Sequence, residues 1–317
     1  MERVGAWQIG DSAYWGVEDA ADAQAAVDAA LDGGINLFDT AEMYGGGESE
    51  RVLGKCLGAR RKEVYVASKV APEHCTPDGV RGSCEKSLER LGTDYIDLYQ
   101  IHWPFRETPF EDVYAVLDSL KDEGKIRAAG VSNFGVQDLN QWMAAGTCVS
   151  NQLGYNLAFR AIEYEILPAC LRHNVGVLAY MPLLQGLLTG RWKAIDEIPA
   201  ARRRTRHFSC NREGTRHTEA GQEDLFVDLL DKLGEMANEL DMAPATLALA
   251  WAMAQKGVAS VIVGARRRTQ LQRNIDAASV DLDEPALNRL NSISEPLKQA
   301  LGNNADLWLS GDERRIR

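Results

Sequence analysis

The chain contains no apolar stretch of about 18 residues or more, and no basic segment followed by an apolar run opens it. Both absences argue against a membrane span and a secretory leader. Cysteine is sparse, with six residues at positions 56, 75, 84, 148, 170 and 210, none in a C-x-x-C pair. Reduced thiols and a cytoplasmic location are the expectation. Positive charge is in deficit: 35 Lys and Arg stand against 46 Asp and Glu, a formal charge of −11. That argues against the dominant basic stripe of a nucleic-acid surface and favours a small-molecule partner, while leaving the oligomeric state open. Several catalytic signatures are also missing. There is no G-x-G-x-x-G, no G-x-x-x-x-G-K-[ST], no H-E-x-x-H and no G-x-S-x-G, so a Rossmann domain, a P-loop, a zinc protease and a serine hydrolase are set aside. No metal site is expected.

What is present is an alternation. Short β-rich apolar runs begin near Val4, Ile35, Val64, Tyr95, Arg127, Val149, Val175 and Ala259, with helical patterns between them. The first helix carries Val27, Ala30 and Leu31 on its apolar face and ends at Gly33-Gly34 before Ile35-Asn36-Leu37-Phe38. Eight such units close both edges of a parallel sheet, which predicts a single-domain α/β fold, a (β/α)8 TIM barrel over residues 1–317. The spacing fails at about 184–221, where Gly186, Gly190, Pro199, Gly214 and Gly221 interrupt an Arg-rich stretch. A loop of that length inside a compact domain is expected to serve a ligand. Past the last helix of the barrel, about 284–317 carries Leu290, Ile293, Leu297, Leu301, Trp308 and Leu309 and should pack on the barrel.

Polar residues able to do chemistry recur at the strand ends: Phe38-Asp39-Thr40, Ala67-Ser68-Lys69, Gln100-Ile101-His102, Val131-Ser132-Asn133 and Asn151-Gln152. Asp39 and Lys69 are 30 residues apart, Lys69 and His102 33, and His102 and Ser132 30, each about one βα unit. They converge on one rim. Asp39, Tyr44, Lys69 and His102 together suit proton transfer to a carbonyl. A phenol is a weak acid unless its anion is stabilised, and the Lys69 ammonium, kept charged by Asp39, would stabilise it. His102 could polarise the carbonyl, with Trp103 as an apolar wall. Taken singly, each residue has a structural reading; the shared rim is what favours chemistry. Two basic runs stand out. Arg202-Arg203-Arg204 reads at least as readily as a solvated face as it does as a ligand contact. Arg266-Arg267-Arg268 follows the eighth strand and opens a helix, a setting suited to a phosphate.

The stretches Phe38-Asp39-Thr40-Ala41-Glu42-Met43-Tyr44-Gly45, Leu91 to Pro104 and Gly130-Val131-Ser132-Asn133-Phe134 resemble three ordered signatures of the aldo-keto reductase family, and the likeness spans essentially the whole chain. The resemblance implies an NADP(H)-dependent oxidoreductase acting on the CH-OH group of donors, with NAD(H) possible as cofactor. Hydride would move between nicotinamide and an aldehyde, ketone or sugar carbonyl, with Tyr44 as general acid/base and Asp39, Lys69 and His102 in the roles above. It further implies that Ser132, Asn133 and Gln152 hold the carboxamide and that Tyr180 stacks on the nicotinamide. Pro182 and Leu183 would touch the cofactor, Gln185, Gly186, Leu188 and Arg191 would cover the pyrophosphate, and Gly264, Arg266, Gln270 and Asn274 would meet the adenosine end, with Arg266 on a 2′-phosphate.

The chain departs from the family at Arg273, where Glu is common, at Ala6 and at Arg191. The first strand begins within a few residues of Met1, so a hairpin closing the barrel floor is not expected. Trp7, Trp15 and Trp103 are expected to line an aromatic substrate pocket, whereas Trp308 reads as tail packing. Two other functions fit the same sequence: a sugar or polyol dehydrogenase working mainly in the oxidative direction, and a cofactor-sensing regulatory subunit with little turnover.

Overall fold

A computed structural model describes residues 2–5, 20–264 and 268–317. Eight parallel strands close into a barrel in sequence order: β1 (Glu2–Gly5), β2 (Leu37–Asp39), β3 (Tyr65–Val70), β4 (Ile96–Ile101), β5 (Ile126–Ser132), β6 (Ser150–Gly154), β7 (Gly176–Tyr180) and β8 (Val258–Val263). β1 pairs with β8 through Arg3 opposite Ile262, which completes the ring and leaves no sheet edge. Each strand begins within about two residues of its predicted start. Ile35 and Asn36, read as the opening of the second strand, instead precede it.

The period of two along each strand sorts its side chains. Leu37, Ala67, Leu98, Leu178 and Ile262, with Ala128, form a small apolar cluster separate from the main core. Their outward neighbours Phe38, Tyr99 and Ala179 join the larger core between strands and helices. Two residues further along the same inner face stand Asp39, Lys69, Gln100 and Tyr180. The barrel interior is thus filled by an apolar layer with a polar layer above it, at the C-terminal ends of the strands.

Helices α1 (Ala20–Asp32), α2 (Glu48–Leu57), α3 (Pro77–Leu91), α4 (Phe110–Asp122), α5 (Val136–Ala145) and α6 (Ile166–Arg172) return the chain between strands. Local chemistry sets their ends. In α3 the Thr76 side chain accepts from the Gly79 amide, Pro77 opens the first turn, and Gly92 closes the last in a left-handed conformation. Gly54 of α2 lies against α3 so closely that a Cβ would fall 2.3 Å from the Leu91 carbonyl oxygen. After β7 the chain makes three short 3-10 turns, Leu184–Thr189, Ile195–Glu197 and Ala200–Arg202, before α7 (Glu223–Glu239), α8 (Pro244–Ala254) and β8.

Beyond α9 (Arg268–Ala278), the segment expected to pack on the barrel contains a further helix, α10 (Glu284–Leu301), capped by the Asp283 side chain on the Ala286 amide. Leu290, Leu297 and Leu301 are buried in it. Residues 302–317 then run back as a strap. Arg206 of the β7–α7 loop holds this strap, donating from its guanidinium to the carbonyls of Leu301 and Asn304 at 2.7 Å each and from its backbone amide to Leu307 at 2.9 Å. At its end the Arg317 carbonyl accepts from the amides of Gln137 and Asp138 in the first turn of α5.

All six cysteines are free thiols. Among the described residues no helix is long and apolar enough to cross a membrane, and no group of three or more His, Cys, Asp or Glu could hold a metal ion.

Candidate active site

The polar layer is organised around Asp39, which is nearly inaccessible to solvent. One carboxylate oxygen accepts from Lys69 Nζ at 2.6 Å; the other accepts from Gln152 at 2.7 Å and Gln100 at 3.4 Å. Lys69 is fully buried and also donates to the Thr40 carbonyl at 2.8 Å and the Tyr44 hydroxyl at 3.3 Å. Burial would lower the pKa of this ammonium, but Asp39 and then Tyr44 outweigh burial and hold it above its ordinary value. Lys69 therefore remains a cation inside the barrel.

The β2–α2 loop aims Tyr44 at this cation. Thr40 and Glu42 donate their amides to the carbonyls of Ala67 and Lys69, extending the β2–β3 pairing past the strand. The Glu42 carboxylate returns to accept from the Ala71 amide at 2.7 Å. Gly45, Gly46 and Gly47 follow with φ of 57°, 63° and 90°, a left-handed run that side chains rarely tolerate. At Gly47 a Cβ would also lie 2.6 Å from the Arg90 side chain.

His102, one residue past β4, meets the Tyr44 ring edge to face at 5.6 Å. Burial, and secondly the Lys69 charge, push its pKa well below the ordinary value, so the imidazole is neutral. Its Nδ1 is buried with no hydrogen-bond partner among the described residues, and the same holds for the Gln100 side-chain oxygen. Asn133, at φ 63°, crosses the mouth: its amide donates to the His102 carbonyl and to Ser132 Oγ, and its oxygen accepts from the Tyr180 hydroxyl at 2.9 Å. Ser132 in turn donates to the Gln152 carbonyl at 3.0 Å. Burial raises the Tyr180 pKa, so this phenol stays protonated.

Eight of the predicted residues, Asp39, Tyr44, Lys69, His102, Ser132, Asn133, Gln152 and Tyr180, thus form one contiguous set. Pro182, Leu183, Gln185, Gly186, Leu188 and Arg191 follow it on the first turns of the β7–α7 loop. Gln185 and Gly186 are both left-handed, and Arg202 donates to the Gln185 carbonyl at 2.9 Å. Arg202 also packs on Trp192, and Arg203 pairs with Asp196. These two members of the arginine run are therefore built into the loop rather than simply solvated. The Leu188 side chain lies in the hydrophobic core, which leaves only its backbone available to a ligand. Gly264 is exposed just beyond β8, Gln270 is exposed on α9, and Asn274 is buried there. Trp7, Trp15, Ala6 and Arg266 lie outside the described residues.

Three participants had no role assigned from the sequence. Gln100 is a second amide donor to Asp39, and the alternation on β4, two residues above inward-facing Leu98, carries the signal for it. Arg315 and Asp306 of the strap also reach the mouth. Arg315 stacks on Trp103 at 3.7 Å, and Trp308, expected as tail packing, meets Trp103 edge to face at 6.5 Å. No local pattern around residue 315 marks that contact.

Residues 3–295 match the aldo/keto reductase family. The chain is 33% identical to the aldo-keto reductase YhdN of Bacillus subtilis, with 93% of this chain and 91% of that one covered. It is 31% identical to the NADH-specific methylglyoxal reductase of Escherichia coli, with 93% and 95% covered. Among solved structures, an aldo-keto reductase from Klebsiella pneumoniae in complex with NADPH superimposes with a TM-score of 0.72 at 32% identity, covering 92% of this chain and 90% of that one. With the closed barrel and the linked polar layer at its mouth, these likenesses show that the chain belongs to the aldo/keto reductase family of oxidoreductases.

Proposed function

We propose that the protein reduces the carbonyl of an aldehyde, ketone or sugar with NADPH, Tyr44 supplying the proton. The observation that carries this reading is the chain Asp39–Lys69–Tyr44, with contacts of 2.6 and 3.3 Å that run from a buried ion pair to a half-buried phenol. A cation held against a phenol stabilises the negative charge left on its oxygen when the proton departs, and in a water-poor site that stabilisation is large. Asp39 keeps Lys69 charged, and Gln100 and Gln152 keep Asp39 in place. Neutral His102 donates one ring N–H toward a carbonyl oxygen without competing with Tyr44 as an acid. In the oxidative direction the same groups serve, with Tyr44 accepting the proton.

The residues suit a nicotinamide cofactor. Tyr180 offers an aromatic face fixed by Asn133, and the Gln100 side-chain oxygen and His102 Nδ1 are buried polar atoms of the same layer without partners among the described residues. Tyr180 would pack on the nicotinamide, with Ser132, Asn133 and Gln152 at its carboxamide. The left-handed turn at Gln185 and Gly186, with Leu188 and Arg191, would cover the pyrophosphate, and Pro182 and Leu183 would touch the cofactor beside it. Gly264, Arg266, Gln270 and Asn274 would take the adenosine end. When bound, the cofactor supplies or accepts the hydride at the carbonyl carbon. The complex of the Klebsiella relative favours NADPH, while the NADH-specific relative makes NADH the necessary comparison.

The test is cofactor oxidation by the purified protein across a panel of aldehydes and sugars, with NADPH and NADH side by side. Tyr44→Phe is expected to lower kcat by about 10²–10⁴-fold, the usual contribution of a positioned acid, while still binding NADPH. Equal turnover by wild type and variant would remove Tyr44 from the reaction.

A further inference from the structure

The strap brings a guanidinium to the mouth of the site. Arg315 Cζ lies 3.7 Å from the ring centre of Trp103, the residue after His102, and 5.9 Å from that of Trp308. On the other side the strap packs against β6 and β7, where Leu307 and the Tyr180 ring both crowd Gly154. Arg315 thus stands over the rim between the ends of β4 and β7.

Its orientation is fixed by Asp306, whose side chain is fully buried. Nε and Nη2 of Arg315 each donate to Asp306 at 2.8 Å, one to each oxygen. The backbone amides of Trp308, Leu309 and Arg315 donate to the same carboxylate at 3.1, 3.3 and 3.2 Å. Asp306 is therefore saturated from below, and burial, which would raise its pKa, is outweighed by Arg315. Among the described residues Nη1 of Arg315 has no hydrogen-bond partner, and a third of the side chain is exposed. An arginine clamped along one edge by a buried carboxylate and across one face by an indole presents its remaining N–H groups in a single direction. That is a preorganised site for a second carboxylate.

We infer that Arg315 is a specificity-determining residue that recognises carbonyl substrates bearing a carboxylate a few bonds from the reacting carbon. The inference rests on the proposed reduction at Tyr44. The anion meets the free edge of Arg315, and Trp103, shared by Arg315 and the His102 wall, lies under the chain between anion and carbonyl. No covalent step is added.

The test compares succinic semialdehyde with butyraldehyde, which has a similar chain and no carboxylate, in wild type, Arg315→Met and Arg315→Lys. Wild type should prefer the anionic aldehyde. In Arg315→Met the ratio of kcat/KM for the two should fall about 10- to 100-fold, the range for a lost hydrogen bond to a charged group, chiefly through KM. Arg315→Lys should retain part of the preference, since it keeps the charge but not the fork. Absence of a preference in wild type, or equal losses on both aldehydes in Arg315→Met, would overturn the inference and leave Arg315 as a fastener of the strap. A second measurement needs no turnover: tryptophan emission titrated with succinate and with succinamide. A response to succinate alone in wild type, lost in Arg315→Met, supports the anion site even where neither aldehyde is reduced, and in that case the proposed function fails alone. No response to succinate in wild type overturns the anion site.

Discussion

At the scale of single residues the site depends on a charge that has no access to water. Lys69 is enclosed completely, and Asp39 is its sole carboxylate partner among the described residues. Removing one member of a buried pair leaves the other charge uncompensated, at a cost of about 3–5 kcal/mol. Asp39→Asn should therefore destabilise the fold by roughly that amount, read from urea denaturation, as well as slowing the reaction. A loss below about 1 kcal/mol would mean that the Thr40 carbonyl and Tyr44 hydroxyl suffice to hold the ammonium. The residues of this layer were legible in the sequence because each closes a strand, and strand ends recur at the βα period. Gln100 was hidden by its own neighbour: His102 drew the assignment, although Gln100 shares an inner face with Leu98 and reaches Asp39 directly.

At the scale of elements, a buried network fastens the Tyr44 loop to the barrel. Glu50 of α2 is inaccessible to solvent and accepts from Ser68 Oγ of β3 at 2.5 Å and Arg90 Nε of α3 at 2.5 Å. Since α2 starts directly after Gly47, this network sets where the loop re-enters the helix layer. Glu50→Gln leaves Arg90 without its carboxylate, and a stability loss of about 2–4 kcal/mol is expected from thermal or urea unfolding. An unchanged midpoint would show the network to be dispensable. The barrel strands were readable because inward and outward residues alternate between two apolar cores. The last helix was not, because Pro285 and Pro296 argue locally against a helix over Glu284–Leu301. Pro285 in fact sits in the first turn, where no amide partner is lost, beside the capping Asp283. The strap was opaque for a different reason. Its partners, Arg206, Trp103 and Asp138, lie in remote stretches of chain, and no local pattern encodes a contact of that separation.

At the scale of the whole molecule, stability should depend on pH through histidines the fold keeps neutral. His207 is fully buried between Phe159, Phe208 and Phe226, accepting from or donating to Thr205 Oγ1 at 2.9 Å and facing the Ala158 carbonyl at 2.9 Å. Burial holds its pKa down to about 4 against an ordinary value of 6.5. The unfolded chain therefore binds this proton first. The contribution of His207 is intact above pH 6.5 and is lost as pH falls toward about 4, amounting to about 3 kcal/mol at most. His102 acts in the same direction. Urea midpoints should fall between about pH 6.5 and about pH 4, and His207→Gln should flatten that slope. Equal slopes in the two proteins would assign the acid sensitivity elsewhere.

The Asp39–Lys69 pair also bears on the charge of the molecule as a whole. With His102 neutral, one anion and one cation cancel, so the resting polar layer adds nothing to the chain's formal charge of −11. In the proposed reduction Tyr44 surrenders its proton, and the negative charge left on the layer would be matched by the positive charge that hydride loss leaves on the bound nicotinamide. A buried, unbalanced charge is costly, so once the oxidised cofactor departs the site would be driven to draw a proton back from solvent before the next cycle. Electroneutrality at rest makes the barrel mouth a compartment that resets itself.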